Sequence, residues 1–249
     1  MLEITRKRGP FLIKEIWFSE RPYTVKDYDS VIFKNCEERV SLDGFELEEF
    51  TTSVINLRQD LEMIWKNVSS SCRREIRRAE DHGVSVRTSE DFGEFYSMYR
   101  SFAEAKGWNA WRMGRRRFIE YVRNGTVFVA EFEGRKIAGH LYFGDGRQMR
   151  LMMAPSRRLE RHEESSRRVG QANRLAFWEA IKYAKNAGMA TFDLGGIYTG
   201  ANQSDPRYGI NQFKFQFGGE LITVYNYDMC RSRALRIARR IERFLGKIY

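Results

Sequence analysis

A single lysine, Lys214, lies inside an aromatic stretch near the end of the chain, FKFQFGGE. The alternation of phenylalanine with polar residues is typical of a strand that has one apolar face. The same letters also fit the last turn of a helix, because Phe213 and Phe217 are four residues apart and two glycines follow them. An ammonium group held in such an element could stabilise a developing oxyanion or bind a phosphate.

A second group of candidates precedes this lysine in the segment FDLGGIYTG. Asp193 is predicted to lie at the end of a strand, where polar side chains often face a site. Gly195 and Gly196 follow it, and glycine permits a tight turn close to a ligand. The alternative for Asp193 is that it caps a turn, which is a common use of aspartate.

A third candidate is the stretch RRVGQA, between a predicted strand and a long helix predicted from Gly170 to Ala187. It matches the pattern R-x-x-G-x-A at a helix start, where free backbone N–H groups and the helix dipole attract phosphate. The alternative is an ordinary loop that leads into a helix. The predicted binding residues for a phosphate-bearing cofactor are Arg167, Arg168, Gly170, Gln171 and Ala172.

An arginine-rich helix is predicted from the stretch SSCRREIRRAE. Its apolar stripe is narrow, and arginines cover the rest of its surface. Arg73 and Arg77 are one helical turn apart, as are Arg74 and Arg78. Such rows of cations bind phosphates in some proteins and form a solvated face in others.

A second basic helix is predicted from Arg231 to Lys247. Basic amphipathic helices can lie on membranes or on RNA, or can pack their apolar stripe on the domain. We expect the apolar stripe of this helix to pack on the domain, and its arginines to contact an anion in addition. The predicted apolar stripe is Ala234, Ile237, Ala238, Ile241, Leu245 and Ile248, and the arginines opposite are Arg231, Arg233, Arg236, Arg239, Arg240 and Arg243.

The composition points to a globular protein, and its positive charge indicates either an anionic partner or a soluble protein that is basic without one. The chain has 249 residues, 42% of them hydrophobic, and a formal net charge of +10. Disorder is excluded by the apolar content, and a charge of this size favours RNA, phosphate-bearing molecules or an acidic membrane face. Three scattered cysteines and three histidines without ligand spacing predict no disulfide framework and no metal site. No apolar run reaches the length of a membrane span and no signal peptide is seen, so a cytoplasmic location is predicted.

The order of the predicted elements is typical of the α+β class. Short strands fill residues 1–56, and helices follow. A hairpin series comes next, with strands TVFVAEF and RKIAGHLYF joined at Gly134 and a third strand RQMRLMMA. A long helix, a strand, a short element and a last strand complete the order, which differs from the regular alternation of a doubly wound sheet.

Three segments resemble the Fem family of aminoacyl-tRNA-dependent transferases, which lies within the GNAT N-acyltransferase superfamily. IWKNVSSSCRREIRRAEDHGVSV resembles the family's arginine-rich helix that ends in Gly-Val. GQANRLAFWEAIKYAKNAGMATFDLGGI resembles its unit of a helix followed by DLGGI, and GINQFKFQFGGE resembles its FKxxFGG signature. The resemblance extends from about Ser53 to Tyr227. It implies a GNAT-like fold with a mixed central sheet flanked by helices, and it places FKFQF in a short helix before the last strand.

The resemblance also implies a reaction. An amino acid carried as an ester on tRNA is transferred, without a metal or a required cofactor, to an amine of a peptidoglycan precursor. That precursor is a UDP-linked or lipid-linked peptide, and another small amine is the alternative acceptor. By this resemblance Lys214 is the catalytic candidate near the ester, and Asp193 and Tyr208 are candidates for a base. The implied substrate-binding residues are Arg73, Arg74, Arg77, Phe213, Gly195 and Gly196.

The predicted domains are a reduced strand-rich segment at 1–56 and a GNAT-like transferase domain at 57–249, which includes the basic terminal helix. That helix is expected to allow peripheral contact with a membrane, which would place the protein at the inner membrane face. Two other functions stay open. One is an N-acyltransferase that uses acyl-CoA, bound through RRVGQA. The other is an inactive GNAT-like domain that binds RNA or a membrane.

Overall fold

The chain forms two compact units, one of Met1–Thr52 with Ile222–Tyr249 and one of Ser53–Leu221. The structure is a computed structural model that describes residues 1–107, 113–159 and 163–248, without the side chains of 159, 163–165 and 242–248. The described residues contain ten strands and seven α-helices, which confirms the predicted α+β class. The domain division between residues 56 and 57 stays a prediction. The compact units differ from it, since the last strand and helix belong to the first unit.

The strands and helices are numbered in chain order. The strands are β1 (Leu2–Arg8), β2 (Phe11–Trp17), β3 (Ser30–Cys36), β4 (Glu46–Asn56), β5 (Ser85–Thr88), β6 (Thr126–Phe132), β7 (Arg135–Gly144), β8 (Gln148–Met153), β9 (Thr191–Gly196) and β10 (Glu220–Cys230). The helices are α1 (Leu61–Asn67), α2 (Ser70–Asp81), α3 (Phe92–Ala105), α4 (Arg115–Arg123), α5 (Glu163–Asn186), α6 (Pro206–Phe215) and α7 (Arg233–Ile248). None of the helices in the described part of the chain is long and apolar enough to cross a membrane.

The first unit is built on four paired strands. β1 is antiparallel to β2, β2 is parallel to β3, and β3 is antiparallel to β10. A small core of Ile16, Val31, Phe33, Cys36 and Tyr227 joins these strands. Helix α7 follows β10 and docks through Leu235, which has no exposed surface.

The exposed surface of α7 contradicts the predicted docking of its apolar stripe. Ile237 and Ile241 are 59% and 54% exposed, and Ala234 is exposed as well. The neighbouring side of the helix docks instead, because Arg239 donates hydrogen bonds to Asp228 and Ser30 and turns that side towards the strands. The side chains of Leu245 and Ile248 lie outside the described residues.

The second unit contains the strand series β5 to β9. Each strand pairs with the next along the chain, antiparallel from β5 to β8, and β8 is parallel to β9. The predicted hairpin at Gly134 is confirmed, and the residue has a φ of +74°, which glycine adopts without strain. Helix α5 covers β6 and β7, and α2 packs on α5. The core between these layers is rich in aromatic residues, among them Phe128, Tyr142, Phe177, Trp178 and Phe192.

Helix α2 begins as the sequence predicts. The side chain of Ser69 accepts a hydrogen bond from the backbone N–H of Cys72 at 3.2 Å, which satisfies one of the free amides of the first turn. Cys72, Ile76 and Ala79 are buried and form the predicted apolar stripe. That stripe fixes which arginines of α2 face solvent.

Helix α5 begins seven residues earlier than predicted, at Glu163 instead of Gly170. The residues EESSRRV contain no helix breaker, and the two glutamates favour a helix N-terminus, so the helix extends through them. Residues 167–172 therefore lie inside the helix, where backbone N–H groups bond to carbonyls four residues earlier. The predicted loop of free amides at RRVGQA is wrong.

Candidate active site

Lys214 lies in the last turn of α6, so the helical interpretation of FKFQF is confirmed. The helix starts where Asp205 accepts a hydrogen bond from the backbone N–H of Arg207 at 2.8 Å and Pro206 occupies the first position. Beyond the helix Gly218 has a φ of +71°, and a Cβ atom there would lie 2.5 Å from the carbonyl oxygen of Asn67. Only glycine fits that turn.

The ammonium group of Lys214 is buried. The residue is 8% exposed, and its Nζ donates a hydrogen bond to the carbonyl oxygen of Gly196 at 2.7 Å. Burial lowers the pKa of Lys214 to about 8, with the positive charge of Arg150 adding to the effect and the charge of Asp193 opposing it. The lysine is therefore mostly protonated at pH 7, with a small free-energy cost of losing its proton.

The last residues of β9 lie against the ammonium group of Lys214, which bonds to Gly196. The registered pairing of β8 with β9 ends at Arg150 and Asp193. Gly195 then has a φ of +85°, which turns the backbone out of the extended conformation. The carboxylate of Asp193 accepts the Gly195 N–H at 2.7 Å and forms an ion pair with Arg150. Asp193 is 2% exposed, so these contacts fix the turn that brings Gly196 to Lys214.

Asn211 is a site residue that the sequence interpretation missed. It is 4% exposed and lies three residues before Lys214, on the same face of α6. Its Nδ2 donates to the carbonyl oxygen of Tyr198 at 2.7 Å, and its Oδ1 accepts the Tyr198 N–H at 3.0 Å. The side chain thus ties the segment after β9 to α6. A polar side chain one helical turn before the lysine is the only signal in the sequence that could have identified it.

Aromatic packing through Phe213 and Phe217 holds α6 against α5. The ring of Phe177 lies 5.4 Å from that of Phe213 and 5.2 Å from that of Phe217. The guanidinium of Arg174 lies 5.0 Å from the centre of the Phe213 ring and donates to Gln216 at 3.1 and 3.2 Å. Residues 174–177 of α5 therefore pack against the C-terminal end of α6.

A basic cavity of about 340 Å³ lies between α2 and α5. Its lining residues are Arg78, His82, Arg167, Arg168 and Gln171. The size is at the lower end of the range for ligand pockets. It brings together three of the residues predicted to bind a cofactor with Arg78 of α2 and with His82, which directly follows α2, and neither of these two was a predicted site residue.

Glu75 holds two of the side chains around this cavity. It accepts hydrogen bonds from Gln171 at 2.9 Å and from Arg78 at 2.5 Å. Burial acts to raise the pKa of Glu75, but these hydrogen bonds and the charges of Arg78 and Arg167 outweigh it and keep the pKa below its usual value. Glu75 stays ionised, and the three arginines leave the cavity with a positive charge.

The residues of α5 that line the cavity lie about one to two turns before Arg174, a residue of α5 that contacts α6. A helix rises about 1.5 Å per residue, so Gln171 and Arg167 lie about 4.5 Å and about 10 Å along the axis from Arg174. Arg174 itself contacts Phe213, the neighbour of Lys214. The cavity therefore lies about one to two turns of α5 before a residue of that helix that contacts Phe213.

Several predicted site residues lie elsewhere. The guanidinium of Arg73 donates to the carbonyl oxygens of Trp65, Lys66 and Val68, so it caps the end of α1. Arg74 and Arg77 are exposed, and Arg77 lies over the ring of Trp65 at 5.9 Å. None of these three arginines is among the residues that line the described cavity.

Three further predictions concern residues away from the lysine or inside the helix. Tyr208 lies six residues before Lys214, about 9 Å along α6 and on a different face. Gly170 and Ala172 are buried in α5 and present no free amide. Whether Arg167, Arg168 and Gln171 bind a phosphate, and whether Asp193 or Tyr208 acts as a base, stay predictions.

Solved structures support the Fem-like fold. FemX has a TM-score of 0.65 at 13% identity, over 94% of this chain and 85% of FemX. The C-terminal domain of an Agrobacterium fabrum protein assigned as a lysylphosphatidylglycerol synthetase has a TM-score of 0.55 at 12% identity, over 98% of this chain and 84% of that domain. L-PGS from Bacillus licheniformis has a TM-score of 0.51 at 13% identity, over 95% and 82%. At identities this low, the structural similarity establishes a shared fold only.

The sequence itself gives the family. No curated protein matches it. Residues 66–214, more than half of the chain, match the acetyltransferase (GNAT) domain. That match covers α2, the strands β5 to β9 and the lysine of α6, and with the Fem-like fold it shows that the chain belongs to the GNAT acyltransferase family.

Proposed function

We propose that the protein transfers an amino acid from aminoacyl-tRNA to an amine acceptor. The observation that carries this proposal is the buried, protonated Lys214, hydrogen-bonded to Gly196 O at the end of β9. A fixed cation in a site that excludes water stabilises a negative oxygen far more than it would in bulk solvent. An ester carbonyl near Lys214 gains this stabilisation as its oxygen becomes an oxyanion.

The reaction balances without a metal or a redox partner. The neutral amine attacks the ester carbonyl and forms a carbon–nitrogen bond. The tetrahedral intermediate collapses, the carbon–oxygen bond to the terminal ribose breaks, and the amino acid remains as an amide. The amine loses one proton and the ribose oxygen gains one. Asp193 is held in its ion pair with Arg150, so a substrate group is the better carrier for that proton.

The tRNA donor is supported by charge. The chain has a net charge of +10, and the cavity between α2 and α5 is lined by three arginines. Nucleic acid binding draws most of its affinity from phosphate contacts of this kind. We assign this cavity to a phosphate of the tRNA end, and an amine of a peptidoglycan precursor or of another peptide-like product to the acceptor.

A second candidate is transfer of an acyl group from acyl-CoA. The matched family is described as an acetyltransferase domain, which favours it. Its support from RRVGQA is weaker than the sequence suggests, because residues 167–172 lie inside α5 and their amides are engaged in the helix. The arginines of the cavity could still bind a phosphate of CoA, so the experiment includes this donor.

The test is a transfer assay with two donors. The purified protein is incubated with total tRNA charged with labelled amino acids, or with labelled acetyl-CoA, together with UDP-linked and lipid-linked precursor peptides. We expect label from tRNA to enter a precursor, and Lys214→Met to lower the rate about 100-fold or more. Lys66→Met is the matched control, since Lys66 is an exposed lysine that pairs with Glu62 on α1.

Each outcome decides between the candidates. Transfer from acetyl-CoA and not from any charged tRNA would establish the second candidate. No transfer from either donor, with tRNA bound by a folded protein, would leave a binding domain and reject the proposal. A folded Lys214→Met variant with the rate of the Lys66→Met control would remove the catalytic role of the lysine.

A further inference from the structure

Helix α7 exposes apolar side chains that the first unit leaves uncovered. Ile237 and Ile241 are one helical turn apart and are each more than half exposed, and Ala234 lies beside them on the same face. Their exposure follows from how the helix docks. Leu235 is fully buried, and at 100° per residue it lies on the side nearly opposite Ile237.

Arginines lie next to this apolar face. Arg233, Arg236 and Arg240 are exposed, and Arg233 and Arg240 are two turns apart on the flank nearest to Ile237. Arg236 donates a hydrogen bond to the carbonyl oxygen of Cys230 at 2.5 Å, so its position is fixed. The helix therefore presents an apolar strip and a cationic strip side by side to the solvent.

The docked side keeps this arrangement in place. Arg239 donates to both carboxylate oxygens of Asp228 at 2.9 and 3.0 Å and to the hydroxyl of Ser30 at 2.8 Å. These bonds tie α7 to β10 and β3, so the helix cannot rotate to cover its isoleucines without breaking them.

We propose that α7 binds the surface of an anionic lipid bilayer, with its axis in the membrane plane. An interfacial helix has this composition, with apolar side chains that enter the acyl boundary and arginines that bind acidic headgroups. Each cation near an anionic surface adds to the attraction, which salt weakens. This docking surface, defined by Ala234, Ile237, Ile241, Arg233 and Arg240, does not depend on the transfer reaction.

Two other occupants fit the surface less well. A second copy would bring the same arginines together across a two-fold axis, and the strip of one alanine and two isoleucines is far smaller than the roughly 800 Å² per partner of a stable interface. RNA would use the arginines but would leave the isoleucines in water, since its affinity comes from phosphate contacts. An anionic bilayer can bury the isoleucines in its acyl boundary and bind the arginines through its headgroups at the same time.

The test measures co-sedimentation with vesicles of phosphatidylcholine alone or of phosphatidylcholine with phosphatidylglycerol. We expect at least tenfold more binding to the anionic vesicles, reduced by salt. Ile237→Ser combined with Ile241→Ser should lower binding about tenfold or more, and Arg233→Gln combined with Arg240→Gln should remove the preference for anionic lipid. Met63→Ser is the matched control, because Met63 is 48% exposed on α1, a helix of the second unit.

The contradicting results are specific. Binding to anionic vesicles that the double isoleucine variant retains in full would show charge attraction alone and overturn the proposal. Absence of vesicle binding would do the same. If the double isoleucine variant instead converts a dimer to a monomer in sedimentation, a second copy covers α7. If it loses RNA binding and not vesicle binding, the partner is RNA. Circular dichroism of each variant checks that α7 remains folded.

Discussion

The ammonium nitrogen of Lys214 lies so close to Gly195 that a Cβ atom at residue 195 would be 3.3 Å from it. The same glycine has a φ of +85°, and its N–H is held by Asp193. The position of the lysine thus depends on the absence of a side chain in the turn after β9, as well as on α6.

We expect Gly195→Ala to lose activity by more than its loss of stability explains. The left-handed φ should cost about 1–2 kcal/mol of unfolding free energy for any residue with a Cβ. The added methyl group also pushes against Lys214, and displacement of a catalytic group by about 1 Å can cost up to about 100-fold in rate. Transfer rate and urea unfolding are measured on the same preparation.

Gly188→Ala is the control for this prediction. Gly188 has a φ of +76°, but a Cβ atom there would have no neighbour within 4 Å. It should therefore lose similar stability and keep its activity. Equal activity of the two variants would show that the contact between residue 195 and Lys214 is unimportant for the reaction.

Activity should fall as the pH rises through about 8. Burial lowers the pKa of Lys214 to about 8, and a cation that stabilises an oxyanion works only while protonated. The fraction of the protein with a protonated Lys214 should drop about tenfold per pH unit above that value. The acceptor amine acts in the opposite sense, since it must be neutral to attack, so kcat/KM against pH should be bell-shaped. A rate that keeps rising to pH 9.5 would instead indicate a neutral lysine that acts as a base.

The same lysine should affect stability in a defined pH window. Its pKa is about 8 in the folded protein and 10.5 in the reference state, so the unfolded chain binds more protons between these values. The unfolding free energy should therefore increase from pH 8 towards pH 10.5, by on the order of 1–3 kcal/mol. Lys214→Met should remove this increase and lose little or no stability at pH 7, which urea unfolding at both pH values checks.

Local signals in the sequence predict many of the elements and part of the site. The arginine-rich helix at SSCRREIRRAE, the turn at Gly134 and the four-residue spacing of Phe213 and Phe217 are all encoded within a few residues, and the structure confirms each. Lys214 can be found in the same way, because a charged residue between core phenylalanines is unusual in its surroundings.

The rest depends on contacts between distant parts of the chain. Arg150 pairs with Asp193 at a separation of 43 residues, and Gln171 reaches Glu75 at a separation of 96 residues. Nothing in the local sequence pairs these side chains. Helix α7 was misjudged for a related reason, because the sequence defines its apolar stripe, but Asp228 and Ser30 decide which side docks. The stretch RRVGQA matches the sequence pattern of a phosphate-binding loop, but its backbone is helical because α5 begins at Glu163.

The basic cavity should contribute to RNA binding through its charge. Arg167→Gln should weaken binding of a tRNA acceptor stem in all sequence contexts, since a phosphate contact carries no base information. The slope of log affinity against log salt should fall by about one. Arg74→Gln is the control, because Arg74 is an exposed arginine outside the cavity. An equal effect of both substitutions would mean that the charge of the whole surface, and not the cavity, binds RNA.

A buried histidine beneath α5 is neutral in the folded protein. His140 has no exposed surface, and burial lowers its pKa to about 4 against a smaller raising effect of its hydrogen bond to Asn173. The amide nitrogen of Asn173 donates to the carbonyl oxygen of Val169, so its oxygen accepts from His140 Nε2 at 2.9 Å. The Nδ1 atom then accepts from the Tyr142 hydroxyl at 3.0 Å.

This arrangement predicts a loss of stability in acid. Between pH 6.5 and about 4 the unfolded chain binds a proton at residue 140 and the folded protein does not, so the unfolding free energy should fall as the pH falls through this window, by on the order of 1–3 kcal/mol. His140→Gln should be less stable at pH 7 but should lose less stability on acidification, as measured by urea unfolding at pH 7 and pH 4.5. If the glutamine at residue 140 leaves the pH dependence unaltered, another group accounts for the sensitivity to acid, and the hydrogen bonds of His140 to Tyr142 and Asn173 then contribute to packing alone.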